Sequence, residues 1–166
     1  MGSVLLTGAT GFLGSHVARE AVAKGVKPVA MTRESSNRSA LGKLNLPEVK
    51  ADLTDPASLQ KATAGIETVI HLAAYYTFHG KAELYEKITV EGTRNLLEAC
   101  VKNGVKRIIY CSSTEAIGPV ENPPGNEDSP LNPQYEYGRS KQKAEAIVKE
   151  YGAKGLDYTI LRPSGL

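Results

Sequence analysis

A tyrosine and a lysine four residues apart form the first pattern in the sequence that could do chemistry. Tyr137 and Lys141 begin and end the segment Tyr-Gly-Arg-Ser-Lys, and positions i and i+4 of a helix lie on one face. A lysine ammonium near a phenol stabilises the phenolate and lowers the tyrosine pKa from about 10. The pair therefore predicts a tyrosine that exchanges a proton with a hydroxyl or carbonyl group, although surface pairs on helices also have this spacing.

Hydroxyl side chains occur where a predicted strand ends. Ser113 and Thr114 come directly after the β-branched and aromatic run that ends the predicted strand 105–111. Open α/β sheets bind ligands at the carboxyl ends of their strands. A hydroxyl at this point could donate a hydrogen bond to a substrate oxygen beside Tyr137, or it could simply cap the strand end.

Three glycines follow the first predicted strand, residues 3–6. Gly8 permits a tight turn, Gly11 allows a pyrophosphate to approach the backbone, and Gly14 allows the next helix to pack closely. The free N–H groups and the dipole at the start of that helix, residues 15–24, favour a phosphate. The segment predicts a dinucleotide site, with a plain strand-to-helix turn as the alternative.

The end of the second predicted strand selects between the two nicotinamide dinucleotides. Proteins specific for NAD usually carry an acidic residue there, whereas this chain has Thr32 and Arg33. The planar guanidinium of Arg33 could bind a 2′-phosphate. We therefore expect NADP as the cofactor, and Glu34 keeps NAD as the alternative.

Predicted strands and helices alternate along the chain. Most strands are continuous apolar runs, which indicates a parallel sheet covered on both faces and one α/β domain. The predicted strands are 3–6, 28–31, a short one before Asp52, 67–72, 105–111 and 158–161, and the predicted helices are 15–24, 56–64, 82–102 and 134–151.

Composition narrows the class of protein. The 166 residues fit one domain, and 20 Lys and Arg against 18 Asp and Glu leave a formal charge of +2. This balance argues against a dedicated nucleic-acid or membrane-surface binder. Cys100 and Cys111 are too few for a disulfide scaffold and lack the spacing of metal ligands, so we expect no metal and a cytoplasmic location.

These motifs resemble the extended branch of the short-chain dehydrogenase/reductase superfamily, which comprises NAD(P)-dependent epimerases, dehydratases and reductases. The resemblance extends over 4–166 and includes a helix signature in which Thr89 replaces the usual asparagine. It implies a three-layer, doubly wound Rossmann-like fold with a parallel sheet in the order 3-2-1-4-5-6. It also implies hydride transfer between a nicotinamide and a carbon that bears oxygen.

The resemblance further implies roles for individual residues. Tyr137 is the general acid/base, Ser113 orients the substrate oxygen with Thr114 as the alternative, and Lys141 tunes the tyrosine and holds the nicotinamide ribose. Asp52 matches an adenine-contacting residue, although a turn or capping role is equally open. The implied cofactor-binding residues are Gly8, Thr10, Gly11, Phe12, Leu13, Gly14, Arg33, Asp52, Leu53, Leu72, Ala73, Ala74, Tyr137, Lys141 and Pro163.

An aromatic segment and a nearby histidine are the last candidate functional residues in the sequence. The aromatic run 75–79 either touches substrate or packs onto the core, and it includes His79, a loop residue with no evident partner. His71, in contrast, is predicted to be a structural histidine of its strand.

The motifs leave the net reaction open between reduction, epimerisation and dehydration of a small molecule. Dehydratases of this kind have an acidic pair after the catalytic hydroxyl residue, and here only Glu115 is acidic, which weakens dehydration. A non-catalytic NAD(P)-binding module is the alternative from another class. The family often dimerises through two long helices, and the chain stops where its substrate lobe would begin. We therefore expect cofactor binding with low turnover, and a candidate homodimer.

Overall fold

Short apolar segments form the strands of a parallel sheet in the computed structural model, which describes residues 2–42, 44–77 and 80–165. Within these residues the strand order is β3-β2-β1-β4-β5-β6, which confirms the predicted order 3-2-1-4-5-6. The strands are β1 (Val4–Thr7), β2 (Val29–Thr32), β3 (Glu48–Lys50), β4 (Thr68–His71), β5 (Arg107–Cys111) and β6 (Asp157–Leu161).

Helices cover both faces of this sheet. They are α1 (Phe12–Ala23), α2 (Pro56–Ala62), α3 (Ala82–Leu84), a π-helical segment (Tyr85–Glu91), α4 (Gly92–Lys102) and α5 (Glu136–Ala153). Leu5 and Leu6 of β1 are both fully buried, and they belong to two separate core clusters. Successive side chains of a strand point to opposite faces, so this pair confirms the prediction of a sheet covered on both sides.

The helix predicted over 82–102 is not uniform. Its middle portion, Tyr85–Glu91, has π-helical hydrogen bonding between α3 and α4. The Thr93 hydroxyl donates to the Thr89 carbonyl at 2.6 Å, and the Thr89 hydroxyl accepts from the Tyr75 amide at 3.0 Å. The Thr93 bond competes with the regular backbone ladder for the Thr89 carbonyl, which an apolar repeat in the sequence does not reveal.

Candidate active site

Loops at the carboxyl ends of the strands surround two cavities that share Ala74 and Tyr76 in their walls. The first cavity, of about 490 Å³, is bordered by the turn after β1, the end of β2 and the segment after β3. The second cavity, of about 450 Å³, lies between the start of α1 and the ends of β5 and β6. This edge of the sheet is where doubly wound folds bind their ligands.

The turn after β1 requires glycine for packing reasons. Gly8 has φ of +69°, and a Cβ on it would lie 2.8 Å from the Ala73 backbone nitrogen. A Cβ on Gly14 would overlap the Gly8 carbonyl oxygen. Gly8 and Gly11 line the first cavity, whereas Gly14 is buried and lines neither cavity. Gly14 therefore allows α1 to pack closely against the turn that follows β1.

Helix α1 presents a start that suits an anion. Within the described part of the chain, no side chain caps Gly11 at its N-terminus, and the first turn has no acidic residue. The first amides of a helix have no intrahelical partner and carry the positive end of the dipole. Phe12 and Leu13 from this turn line the second cavity. The turn and the helix start thus fit the pyrophosphate of a dinucleotide.

The first cavity also contains two cationic side chains and a carboxylate. Arg33 lines it together with Asp52, Leu53 and Lys87. Burial acts to raise the pKa of Asp52, but hydrogen bonds from Thr54 and the charges of Arg33 and Lys87 lower it overall. Asp52 accepts from the Thr54 amide at 2.8 Å, so it is a turn residue and a cavity residue at once.

Lys87 was missed by the sequence reasoning. It lies in the π-helical segment, and no motif marks it. The available signal was its helical spacing of three residues from Leu84, which lines the same cavity. The other arginine near β2, Arg38, is ion-paired with Glu48 at 2.8 Å.

The second cavity brings together the residues predicted to do the chemistry. Ser113, Tyr137, Lys141 and Pro163 all line it, along with Leu72. Thr10 and Ala73 lie in the first cavity, and Ala74 lies in both. The predicted cofactor and catalytic residues other than Gly14 therefore meet around two adjoining spaces.

Lys141 is held at the end of β5. Its side chain is 2% exposed, and its Nζ donates to the Cys111 carbonyl at 2.7 Å. The same Nζ lies 5.7 Å from the centre of the Tyr137 ring. Burial lowers the pKa of Lys141 to about 8.

Tyr137 does not have the lowered pKa that the sequence suggested. Burial raises the pKa of Tyr137 to about 12, with Cys111 and Tyr76 acting in the same direction, whereas the Ser113 hydroxyl acts to lower it. The expectation was wrong because a pair spacing does not include the loss of solvation around the phenol. A phenol with this pKa is protonated at neutral pH.

The Ser113 hydroxyl caps a turn and also acts on Tyr137. Its side chain accepts a hydrogen bond from the Glu115 amide at 3.2 Å, which caps the short 3₁₀ turn Thr114–Ala116. It is also the hydroxyl that influences the Tyr137 pKa, which favours it over Thr114 as the partner of the phenol.

His71 is structural, as predicted. Its Nδ1 lies 2.7 Å from the Thr7 hydroxyl and its Nε2 lies 3.1 Å from the Thr93 hydroxyl. Burial lowers the pKa of His71 to about 3, so the ring is neutral.

The two tyrosines that begin the aromatic run after β4 pack against different partners. Tyr75 packs edge-on against Tyr85, with ring centres 4.9 Å apart, and Tyr76 packs edge-on against Tyr137 at 5.0 Å. Phe78 and His79 lie outside the described residues.

Among 2–42, 44–77 and 80–165, no three His, Cys, Asp or Glu side chains are grouped as they would be for a metal ion. Cys100 and Cys111 are both buried and free. No helix in this part of the chain has the length and apolarity needed to cross a membrane.

The sheet order, the glycine turn after β1 and the open start of α1 define a Rossmann-type dinucleotide-binding domain. A family model described as the NAD dependent epimerase/dehydratase family matches residues 4–166. The chain belongs to this family.

Individual relatives are similar over nearly the whole chain. Sterol demethylase protein B of Methylococcus capsulatus is 34% identical, with 99% of this chain and 51% of that protein covered. N-acetyl-alpha-D-glucosaminyl-diphospho-ditrans,octacis-undecaprenol 4-epimerase of Escherichia coli is 36% identical, with 98% and 48% covered. The chain spans about half the length of these curated relatives.

A solved structure also superimposes closely. It is the UDP-glucose 4-epimerase of Thermus thermophilus in complex with NAD, with a TM-score of 0.86 and 28% identity. The similarity covers 96% of this chain and 54% of that one.

Proposed function

We propose that this chain is the cofactor-binding and proton-transfer part of an NADP(H)-dependent oxidoreductase that acts on a hydroxyl or carbonyl carbon of a small molecule. The observation that carries the proposal is that Ser113, Tyr137 and Lys141 line one cavity with the start of α1. That cavity adjoins the glycine turn and the cationic residues of the first cavity. A bound nicotinamide dinucleotide supplies the hydride donor or acceptor.

The chain's own residues transfer the proton and orient the substrate. Tyr137 donates its phenolic proton to the substrate oxygen, and Ser113 donates a hydrogen bond to the same oxygen. Lys141, anchored by the Cys111 carbonyl, stabilises the phenolate that remains. The phenol is protonated at neutral pH, so it can supply the proton when a carbonyl group is reduced, and the phenolate can take it back in the reverse reaction.

The remaining predicted residues form the cradle for the cofactor. Gly8, Thr10 and Gly11, with the first amides of α1, would hold the pyrophosphate, and Asp52 and Leu53 would border the adenine. Phe12, Leu13, Leu72 and Pro163 would enclose the nicotinamide side, and Ala73 and Ala74 would allow the dinucleotide to lie against the backbone.

NADP is the proposed cofactor because Arg33 and Lys87 both line the first cavity. Two cations in one cavity suit the charge of a 2′-phosphate. The related structures that contain NAD keep NAD as the alternative for this chain.

Epimerisation is the second candidate, and it is favoured by membership of the family. Dehydration is less well supported because Thr114, directly after Ser113, is not acidic. The non-catalytic module is disfavoured by the presence of both Tyr137 and Lys141 at the second cavity. A homodimer and a cytoplasmic location stay predictions.

Calorimetric titration of the chain with NADPH and NADH tests the first part of the proposal. We expect both to bind, with NADPH binding more tightly. Binding of neither would contradict the proposal. The second part is tested by mixing the chain with NADPH and a carbonyl substrate and measuring hydride transfer as the loss of NADPH absorbance.

A further inference from the structure

A third cavity, of about 540 Å³, adjoins the second cavity at Tyr137. The two cavities share Tyr76, Glu115 and Tyr137 in their walls, so a molecule in the third cavity lies next to Tyr137. Its wall contains two further tyrosines, Tyr85 and Tyr135.

Aromatic surface is concentrated at this opening. The side chains of Tyr76 and Tyr135 are 60% and 68% exposed, and Phe12, at the neighbouring second cavity, is 71% exposed. Exposed aromatic groups around a cavity commonly mark a ligand site, and tyrosine rings stack on flat or apolar ring systems.

The charges of this wall oppose an anion. Arg139 is the one cationic residue among its described lining residues, and it donates to the Glu136 carboxylate from Nε at 3.0 Å and from Nη2 at 2.6 Å. Its Nη1 donates to the Gln134 carbonyl at 3.1 Å. The Arg139 and Glu136 charges therefore offset each other, and the exposed Glu115 leaves the described lining residues with one net negative charge.

We propose that the third cavity receives the body of the substrate and that this body is an uncharged ring system bearing the reacting carbonyl or hydroxyl group. The proposal rests on the proposed function, because it takes Tyr137 as the proton donor. A diphosphate or carboxylate on the substrate would meet the Glu115 carboxylate, whereas Arg139, the one cation among the described lining residues, is paired with Glu136. Like charges brought together oppose binding.

A matched pair of ligands tests the proposal. The neutral fused-ring ketone 1-tetralone and its ring-carboxylated derivative are titrated into the NADPH-bound chain, and binding is followed by saturation-transfer NMR. The neutral ketone is expected to bind on the order of tenfold more tightly than the carboxylate. Equal or tighter binding of the carboxylate, or binding of neither ligand, would overturn the proposal.

Three variants locate the effect. Tyr135→Ala should weaken binding of the neutral ketone by about threefold to tenfold, the range expected for loss of an aromatic contact. Tyr158→Ala, which removes a half-exposed tyrosine outside the cavity, is the matched control and should leave ketone binding unchanged. Glu136→Gln should release Arg139 and strengthen binding of the carboxylate.

The outcomes distinguish this proposal from the proposed function. A chain that binds NADPH and prefers the carboxylated ligand retains the oxidoreductase proposal and loses this one. A chain that binds the neutral ketone but neither nicotinamide cofactor loses the proposed function instead. Unchanged ketone binding in Tyr135→Ala would contradict the proposed role of the aromatic wall in binding the ketone.

Discussion

Arg162 and Glu145 form a bidentate ion pair that joins the end of β6 to the middle of α5. Arg162 Nε lies 2.8 Å from Glu145 Oε1, and Nη2 lies 2.7 Å from Oε2. The two side chains are 13% and 1% exposed. Glu145 is one helical turn beyond Lys141, so the pair holds the helix of Tyr137 and Lys141 against the strand that leads to Pro163.

Removing one partner of this pair should strongly destabilise the chain. In Arg162→Ala, the Glu145 carboxylate would be left buried without its cation, which typically costs about 3–5 kcal/mol of unfolding free energy. Urea denaturation measures the loss. Lys143→Ala, which breaks the exposed Lys143–Glu86 pair, is the control and should cost less than about 1 kcal/mol. Similar losses in the two variants would contradict the role of the buried pair.

Gly8→Ala should disrupt the turn after β1. The added Cβ would meet the Ala73 backbone nitrogen at 2.8 Å in addition to the strain of a positive φ. Gly25→Ala is a matched control, because Gly25 has φ of +79° but nothing within 4 Å of an added Cβ. The control should lose about 1–2 kcal/mol, and Gly8→Ala should lose clearly more and bind NADPH more weakly. Thermal unfolding and NADPH titration decide the comparison, and equal effects would argue against close packing at Gly8.

Arg33→Gln should change cofactor preference. Loss of charge-assisted hydrogen bonds to a 2′-phosphate typically costs about 1.5–3 kcal/mol, or roughly tenfold to a hundredfold in NADPH affinity. NADH affinity should change little. Arg38→Gln is the control, since Arg38 is paired with Glu48. Equal losses of NADPH affinity and NADH affinity in Arg33→Gln would show that Arg33 does not recognise the 2′-phosphate.

Tyr137→Phe should retain cofactor affinity and lose turnover. The phenol is the proposed proton donor, and removal of a general acid commonly slows a reaction by about 10²–10⁴-fold. NADPH titration and the rate of NADPH oxidation with a carbonyl substrate measure the two properties. Unchanged turnover would remove Tyr137 from the mechanism.

The rate of reduction should fall as the pH rises through about 8. Burial lowers the pKa of Lys141 to about 8, so its ammonium charge is present below this pH and is lost above it. Tyr137, with a pKa of about 12, stays protonated over the same range. The decline in rate should therefore be absent from the residual activity of Lys141→Met. A wild-type rate that stays constant up to pH 10 would rule out a role for the ammonium charge.

Features that depend on neighbours along the chain were predictable from the sequence. The apolar run of β1 and the glycines at 8, 11 and 14 describe a local turn, and Tyr137 and Lys141 share a face because a helix has 3.6 residues per turn. The order of the strands came from the resemblance to a family, because local periodicity does not specify which strands pair.

The tertiary structure decided what depends on burial and on residues distant in the chain. The spacing of Tyr137 and Lys141 suggested a lowered tyrosine pKa, but packing removed water from the phenol and Lys141 bonded to the Cys111 carbonyl. Lys87 of the π-helical segment lines the first cavity together with Arg33. Arg162, directly after β6, pairs with Glu145 of α5. Solvation and charge pairing are properties of the assembled fold, because they depend on every element that packs around a group.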